Sequence, residues 1–111
     1  MTRQVLSNRR AALTFEATHG DLAGPVTVTV GFYPDGRPAE LFISASKVGS
    51  EAAGIARNLG VVMSIALQHG ATLDEIRHAL SRNTGGTPQT VAGTVADALK
   101  QICDGGRCWK K

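Results

Sequence analysis

The sequence predicts an α+β domain: a three-stranded antiparallel meander followed by about three helices packed on one face. Three observations predict it. Apolar alternation at period two runs through the first part of the chain, the segment "PDGR" at 34–37 joins two alternating stretches, and the apolar period becomes helical after Ser46. Strands that precede helices, instead of alternating with them, define this class.

The elements follow in order. Leu13, Phe15 and Ala17 repeat at period two inside "ALTFEAT", and "HGDLAGP" connects this stretch to the next. In "VTVTVGFY" at 26–33, Val26, Val28, Val30 and Phe32 face one side while Thr27, Thr29 and Tyr33 face the other, the mark of a half-buried strand. Pro34 fixes φ and Asp35-Gly36 supplies the turn, so "AELFISA" returns antiparallel. Beyond Ser46, Ile55, Leu59, Val62 and Ala66, with Met63 and Leu67 beside them, form an apolar stripe expected to cover the sheet. That helix is expected to end at His69 with Gly70 as a left-handed cap. Thr72 and Glu75 have capping-box spacing and open a second helix that buries Leu73, Ile76 and Leu80. "NTGGTPQ" reads as a loop, and a third helix carries Val91, Val95, Leu99 and Ile102 on one face.

At 111 residues the chain is expected to be one domain: a flexible N-terminus over 1–10, the α+β domain over 11–103 and a flexible basic tail over 104–111. With 42% hydrophobic and 19% charged residues it reads as soluble and globular. No apolar run approaches the roughly 18 residues of a membrane helix, so no membrane association and a cytoplasmic location are expected. The formal charge of +3 is spread along the chain. A nucleic-acid partner is not expected, because its footprint would be a basic patch with interleaved aromatics, and Trp109 is the only ring inside a basic cluster.

The stretch "SKVGSEAAGIARNLG" at 46–60 lacks both the longer glycine-rich loop of a phosphate-binding P-loop and the G-x-G-x-x-G of a dinucleotide site. Ser50 suits an N-cap and Glu51 a first helical turn. Gly49, Ala53, Ala56, Gly60 and Ser64 share one face, which lets a helix backbone approach a neighbour closely. The same segment also admits an anionic, nucleotide-like small molecule held by Lys47, Gly49 and Ser50 at the helix start.

"DGRPAELFISASKVGSEA" followed by "MSIALQHGATLDEIRHAL" resembles the TSCPD domain, the small C-terminal module of cobalamin-dependent ribonucleotide reductases that also occurs as stand-alone proteins. The matching positions are Gly36, Pro38, Glu40, Phe42 and Ile43, then Lys47, Gly49 and Ser50, then Ser64, Leu67, Gly70, Leu73, Ile76 and Leu80. The resemblance covers roughly residues 13–102. It departs at the name-giving Thr-Ser-Cys-Pro-Asp motif, whose place reads "QTVAG" at 89–93 with Val91 where the cysteine would be. The resemblance implies an accessory or regulatory module, oligomeric or docked on a larger enzyme such as a ribonucleotide reductase, and not a reductase itself. It marks Glu40, Lys47, Gly49 and Ser50 as candidate ligand- or partner-binding residues.

Cys103 and Cys108 are separated by "DGGR" and are expected to be free thiols, with an opportunistic disulfide or half of a zinc site as the alternatives. His69 and His78 are the histidines that could complete such a site. No cofactor is otherwise implied. Nothing in the sequence places a nucleophile beside His19, His69 or His78, and Asp74 and Glu75 suit the start of a helix better than an acid/base pair, so no catalysis is expected.

Overall fold

The computed structural model describes residues 2–19, 24–45 and 51–103. Lys47, Gly49, Ser50 and Cys108 lie outside them. The strands are β1 (Ala12–Ala17), β2 (Val26–Phe32) and β3 (Pro38–Ala45), the helices α1 (Glu51–Gln68), α2 (Leu73–Ala79) and α3 (Val91–Ile102). The expected α+β meander is the observed one: a sheet of order β1-β2-β3, antiparallel throughout, with the helices after it.

Register explains which side chains are inside. Leu13, Val30 and Leu41 align across the sheet, as do Phe15, Val28 and Ile43, and this row faces the helices. Val26, Val28 and Val30 are fully buried there. The opposite sheet face carries Thr14, Thr29 and Phe42 side by side, and it is open to solvent, with Phe42 57% exposed. The 34–37 turn closes as expected, with Tyr33 N–H on Arg37 O and Gly36 at φ 91°, a value that favours glycine. A register shift at Gly31/Phe32 interrupts the alternation, so Phe32 and Tyr33, expected on opposite faces, are both 2% exposed.

The helix ends follow their sequence signals. Gly70 N–H bonds Leu67 O and Ala71 N–H bonds Ala66 O, the paired closure of a glycine-capped helix, with Gly70 at φ 106°. Thr72 and Glu75 form the reciprocal capping box. The loop after α2 is a small hairpin: Arg82 bridges Pro88, Asn83 N–H bonds Thr87 O, and Gly86 takes φ 90°.

The face by which α1 docks differs from the sequence expectation. Ile55 and Val62, expected to cover the sheet, are 52% and 62% exposed, while Ala56, Gly60, Met63 and Leu67 are buried. The reason is proximity. A Cβ on Gly60 would lie 2.9 Å from Leu41 O, so the helix backbone rests against β3. At that distance α1 side chains satisfy strand groups that β2 does not. Ser64 Oγ accepts Leu41 N–H at 2.8 Å and lies within hydrogen-bond distance of Leu41 O, and Gln68 Nε2 donates to Ala39 O at 3.1 Å. The helix therefore covers the free edge of β3 as well as part of its face. The small-residue face is thus an internal contact. On α3, Val91, Val95 and Leu99 are buried as expected, but Ile102 is 42% exposed.

Candidate functional site

Residues 2–10 form neither strand nor helix, yet they are bonded along their length. Arg3 Nε donates to Gln68 Oε1, Gln4 N–H to Gln68 O at 2.8 Å, and Tyr33 Oη to Gln4 O at 2.9 Å. Arg37 reaches Gln4 Oε1 at 3.1 Å while its guanidinium lies over the Tyr33 ring, 4.9 Å from the centroid. Burial holds the Tyr33 hydroxyl above its ordinary pKa.

The segment ends at Glu40, the one predicted ligand- or partner-binding residue that is described. Glu40 on β3 is buried, and its Oε2 accepts from Arg10 Nε at 2.6 Å. Gly31, its cross-strand partner, makes room for it: a Cβ there would overlap the Glu40 carboxylate. A shallow cleft opens beside the pair, lined also by Asn8, Arg9, Ala11 and Ala12. A carboxylate engaged by a guanidinium is suited to orienting a partner's polar group, not to moving protons. Sequence reasoning marked Glu40 but missed Arg10, 30 residues away in the chain.

A second cleft lies where the first turn of α3 meets β1 and the 82–88 hairpin, lined by Thr18, His19, Asn83, Thr87, Pro88, Gln89 and Thr94. Here the structure brings a hydroxyl to a histidine, which the sequence did not foresee: His19 Nδ1 and Thr94 Oγ1 are 2.8 Å apart. The two are separated by 75 residues in sequence, so no local signal could have found the pair. Gly93 permits the close fit of α3 on the hairpin, since a Cβ there would stand 2.9 Å from Pro88 Cβ. The arrangement ties the end of β1 to α3. The degenerate segment 89–93 forms part of this wall.

The third group of charges joins α2, the hairpin and α3. Asp97 accepts from Arg77 Nε at 3.0 Å and from both terminal nitrogens of Arg82 at 2.7 and 2.8 Å. Asp74 accepts from Arg77 and Lys100. The Arg82 and Arg77 hydrogen bonds hold the Asp97 carboxyl down at about 2, and Lys100 then Arg77 lower that of Asp74. Because the folded value of Asp97 lies below its unfolded one, its contribution is complete above about pH 4 and is lost as pH falls through about 2. The Asp97 side chain is 23% exposed, so solvent screening limits that contribution to about 1 kcal/mol. Urea unfolding from pH 7 to pH 2 is expected to show wild type losing about that much more stability than Asp97→Asn. Parallel curves would remove the ion-pair account.

Cys103, expected to be a free thiol, is disulfide-bonded. A sulfur so engaged is not a zinc thiolate, and the proposed metal pair would require the reduced form. Among the described residues no group of three or more His, Cys, Asp or Glu is placed to hold a metal ion. No helix among the described residues is long and apolar enough to cross a membrane.

The family described as the TSCPD domain matches residues 2–103. A vitamin B12-dependent ribonucleotide reductase of Rhodopirellula baltica is 39% identical over 79 residues, which are 71% of this chain and 7% of that protein. Those of Agrobacterium fabrum and Bradyrhizobium diazoefficiens are each 34% identical, over 71% and 66% of this chain and 6% of theirs. The chain therefore spans less than a tenth of the length of these relatives. No solved structure matches it.

Proposed function

This chain belongs to the TSCPD domain family, and from that premise we propose that it is a non-catalytic accessory module that docks on a ribonucleotide reductase. The observation that carries the reading is the open sheet face, where Phe42 stands 57% exposed beside half-buried Thr29 and exposed Ser44. An exposed aromatic ring on a rigid sheet is the kind of residue that anchors a protein interface. The Arg10–Glu40 pair borders the same face, next to Gly31, and supplies polar groups for its rim. Support for a non-catalytic role comes from the charged groups themselves. Glu40 and Asp97 are each held by arginines, an arrangement that favours fixed geometry over proton transfer.

The test is direct binding of the purified chain to a vitamin B12-dependent ribonucleotide reductase, measured by biolayer interferometry. Saturable binding is expected, with Phe42→Ala weakening it by about tenfold or more. The melting temperature of that variant is expected to stay close to wild type, because the ring is mostly in solvent. Failure of the wild-type chain to bind, or indifference of binding to Phe42, would overturn the reading.

A further inference from the structure

Among the described residues, the buried polar or charged side chains are Glu40 and Gln68, at 9% and 5% exposure. The segment over 2–10 bonds both. Gln68 Oε1 accepts from Arg3, Gln68 O accepts the Gln4 amide at 2.8 Å, and Glu40 accepts from Arg10 at 2.6 Å. A third buried group, the Tyr33 hydroxyl, donates to Gln4 O at 2.9 Å. The hold of the segment on the domain is polar. Residues 2–5 and 7–10 are exposed, Val5 by 85%, and no side chain of 2–10 joins the hydrophobic core.

The segment's path brings it onto the open sheet face. Glu40, Phe42 and Ser44 alternate with Leu41 and Ile43 along β3, so all three project from the open side. Phe42 and Ser44 are in solvent. Glu40 is not, because here the segment passes from Gln68, at the end of α1, to β1, and Asn8, Arg9 and Arg10 line the cleft beside it. The bonded groups define what they accept. Gln68 offers two oxygens to N–H donors, the Tyr33 hydroxyl seeks a main-chain carbonyl, and Glu40 takes a cation. The N–H and C=O of one residue, Gln4, are read together, so main chain is recognised as well as side chain. Any extended peptide with a guanidinium at the Glu40 end meets these requirements, whether or not it belongs to this chain.

We propose that the end of the sheet face bounded by Gln68, Tyr33 and Glu40 is a peptide-binding track, that segment 2–10 fills it as an intramolecular ligand, and that an extended, arginine-bearing segment of a partner protein takes its place. Exchange replaces like with like, since Glu40 passes from one guanidinium to another. A segment without a cation would cover the Glu40 carboxylate and leave it unpaired, which disfavours neutral and acidic competitors. The track adjoins Phe42 but does not depend on it, so the proposal goes beyond the docking reading and either can fail alone.

The probe is a fluorescein-labelled peptide with the sequence of residues 2–10, titrated by anisotropy against the full chain. It is titrated also against a full-length variant whose own segment is released by Arg3→Ala, Gln4→Pro and Arg10→Ala. The released variant is expected to bind the peptide saturably with Kd of about 100 µM. Wild type is expected to bind it at least about tenfold more weakly, because its own segment stands at a millimolar effective concentration. Adding Glu40→Gln to the released variant, or Arg10→Glu to the peptide, is expected to weaken binding about tenfold. Hydrogen exchange of wild type gives a readout that needs no variant: the Gln4 amide is expected to exchange about a hundredfold or more faster than that of Leu41, which Ser64 holds. Absence of saturable binding to the folded released variant, equal binding by wild type, or indifference to Glu40 would overturn the proposal. A released variant that does not fold, or a Gln4 amide as protected as that of Leu41, would make the segment an inseparable part of the fold and overturn it equally. Peptide binding without reductase binding would sink the docking reading alone, and reductase binding through Phe42 without peptide binding would sink only the track.

Discussion

Replacing Gly60 with valine is expected to destabilise the folded chain by about 3 kcal/mol, because the helix that carries it has nowhere to move. A Cβ at this position meets Leu41 O at 2.9 Å and Ile43 N at 3.3 Å. Both are backbone atoms of β3, so no side-chain rotation relieves the overlap. Relief requires α1 to lift, which stretches the Ser64 bond to Leu41 and the Gln68 bond to Ala39 together. Gln68 is 5% exposed, and its amide would lose its strand acceptor without gaining water in return. Helix propensity pushes the other way by only a few tenths of a kcal/mol, so the overlap decides the sign. Gly54→Ala is the control. That position has open space around it and is expected to gain about 1 kcal/mol. Urea unfolding of the two variants beside wild type checks the pair. Shifts of the same sign would refute the close-approach account of α1.

The second large effect is expected at Leu99. Its side chain is fully buried in α3, in the cluster that includes Val95 and the sheet valines, so Leu99→Ala removes apolar contact and leaves a cavity that rigid neighbours close only in part. A loss of about 3 kcal/mol is expected. Ile102→Ala, three residues on in the same helix, is expected to lose less than about 1 kcal/mol because that side chain is already 42% in solvent. The contrast separates the buried face of α3 from its end. Equal losses at the two positions would mean that α3 is docked in a different rotation from the one described.

How much of this was legible depended on the range of the signal. Elements whose cause is local were readable: the turn at 34–37, the Gly70 cap, the Thr72–Glu75 box and the valine alternation of β2 each rest on residues within a few positions of one another. The register shift at Gly31/Phe32 was not, because it is a property of the pairing with β3, where Gly31 faces Glu40, and no local pattern in β2 names that partner. For α1 the sequence carried two apolar faces, and hydrophobicity alone favoured the bulkier one. The choice was decided by distance, since only glycine, alanine and serine let the helix reach the β3 backbone. The clefts were still less visible. Arg10 with Glu40, His19 with Thr94 and Asp97 with Arg77 and Arg82 are pairings made by the tertiary fold, and a chain read residue by residue shows only the separate members. Cys103 differs in kind. The sequence left a free thiol and a disulfide both open, and the structure has Cys103 disulfide-bonded and 8% exposed at the end of α3.

The cover that α1 gives to β3 also bears on how the chain avoids its own kind while folding. A β2–β3 hairpin without α1 would display the amide and carbonyl of Leu41 on an unpaired edge, next to apolar Ile43 and Ala39, which is the form of strand that templates sheet growth between molecules. The protecting helix is the next element in the chain, so the closure joins positions only 23 and 29 residues apart and does not wait for α2 or α3. During synthesis the vulnerable interval is therefore short, and α1 serves β3 as a built-in chaperone whose grip depends on the absence of a side chain at Gly60.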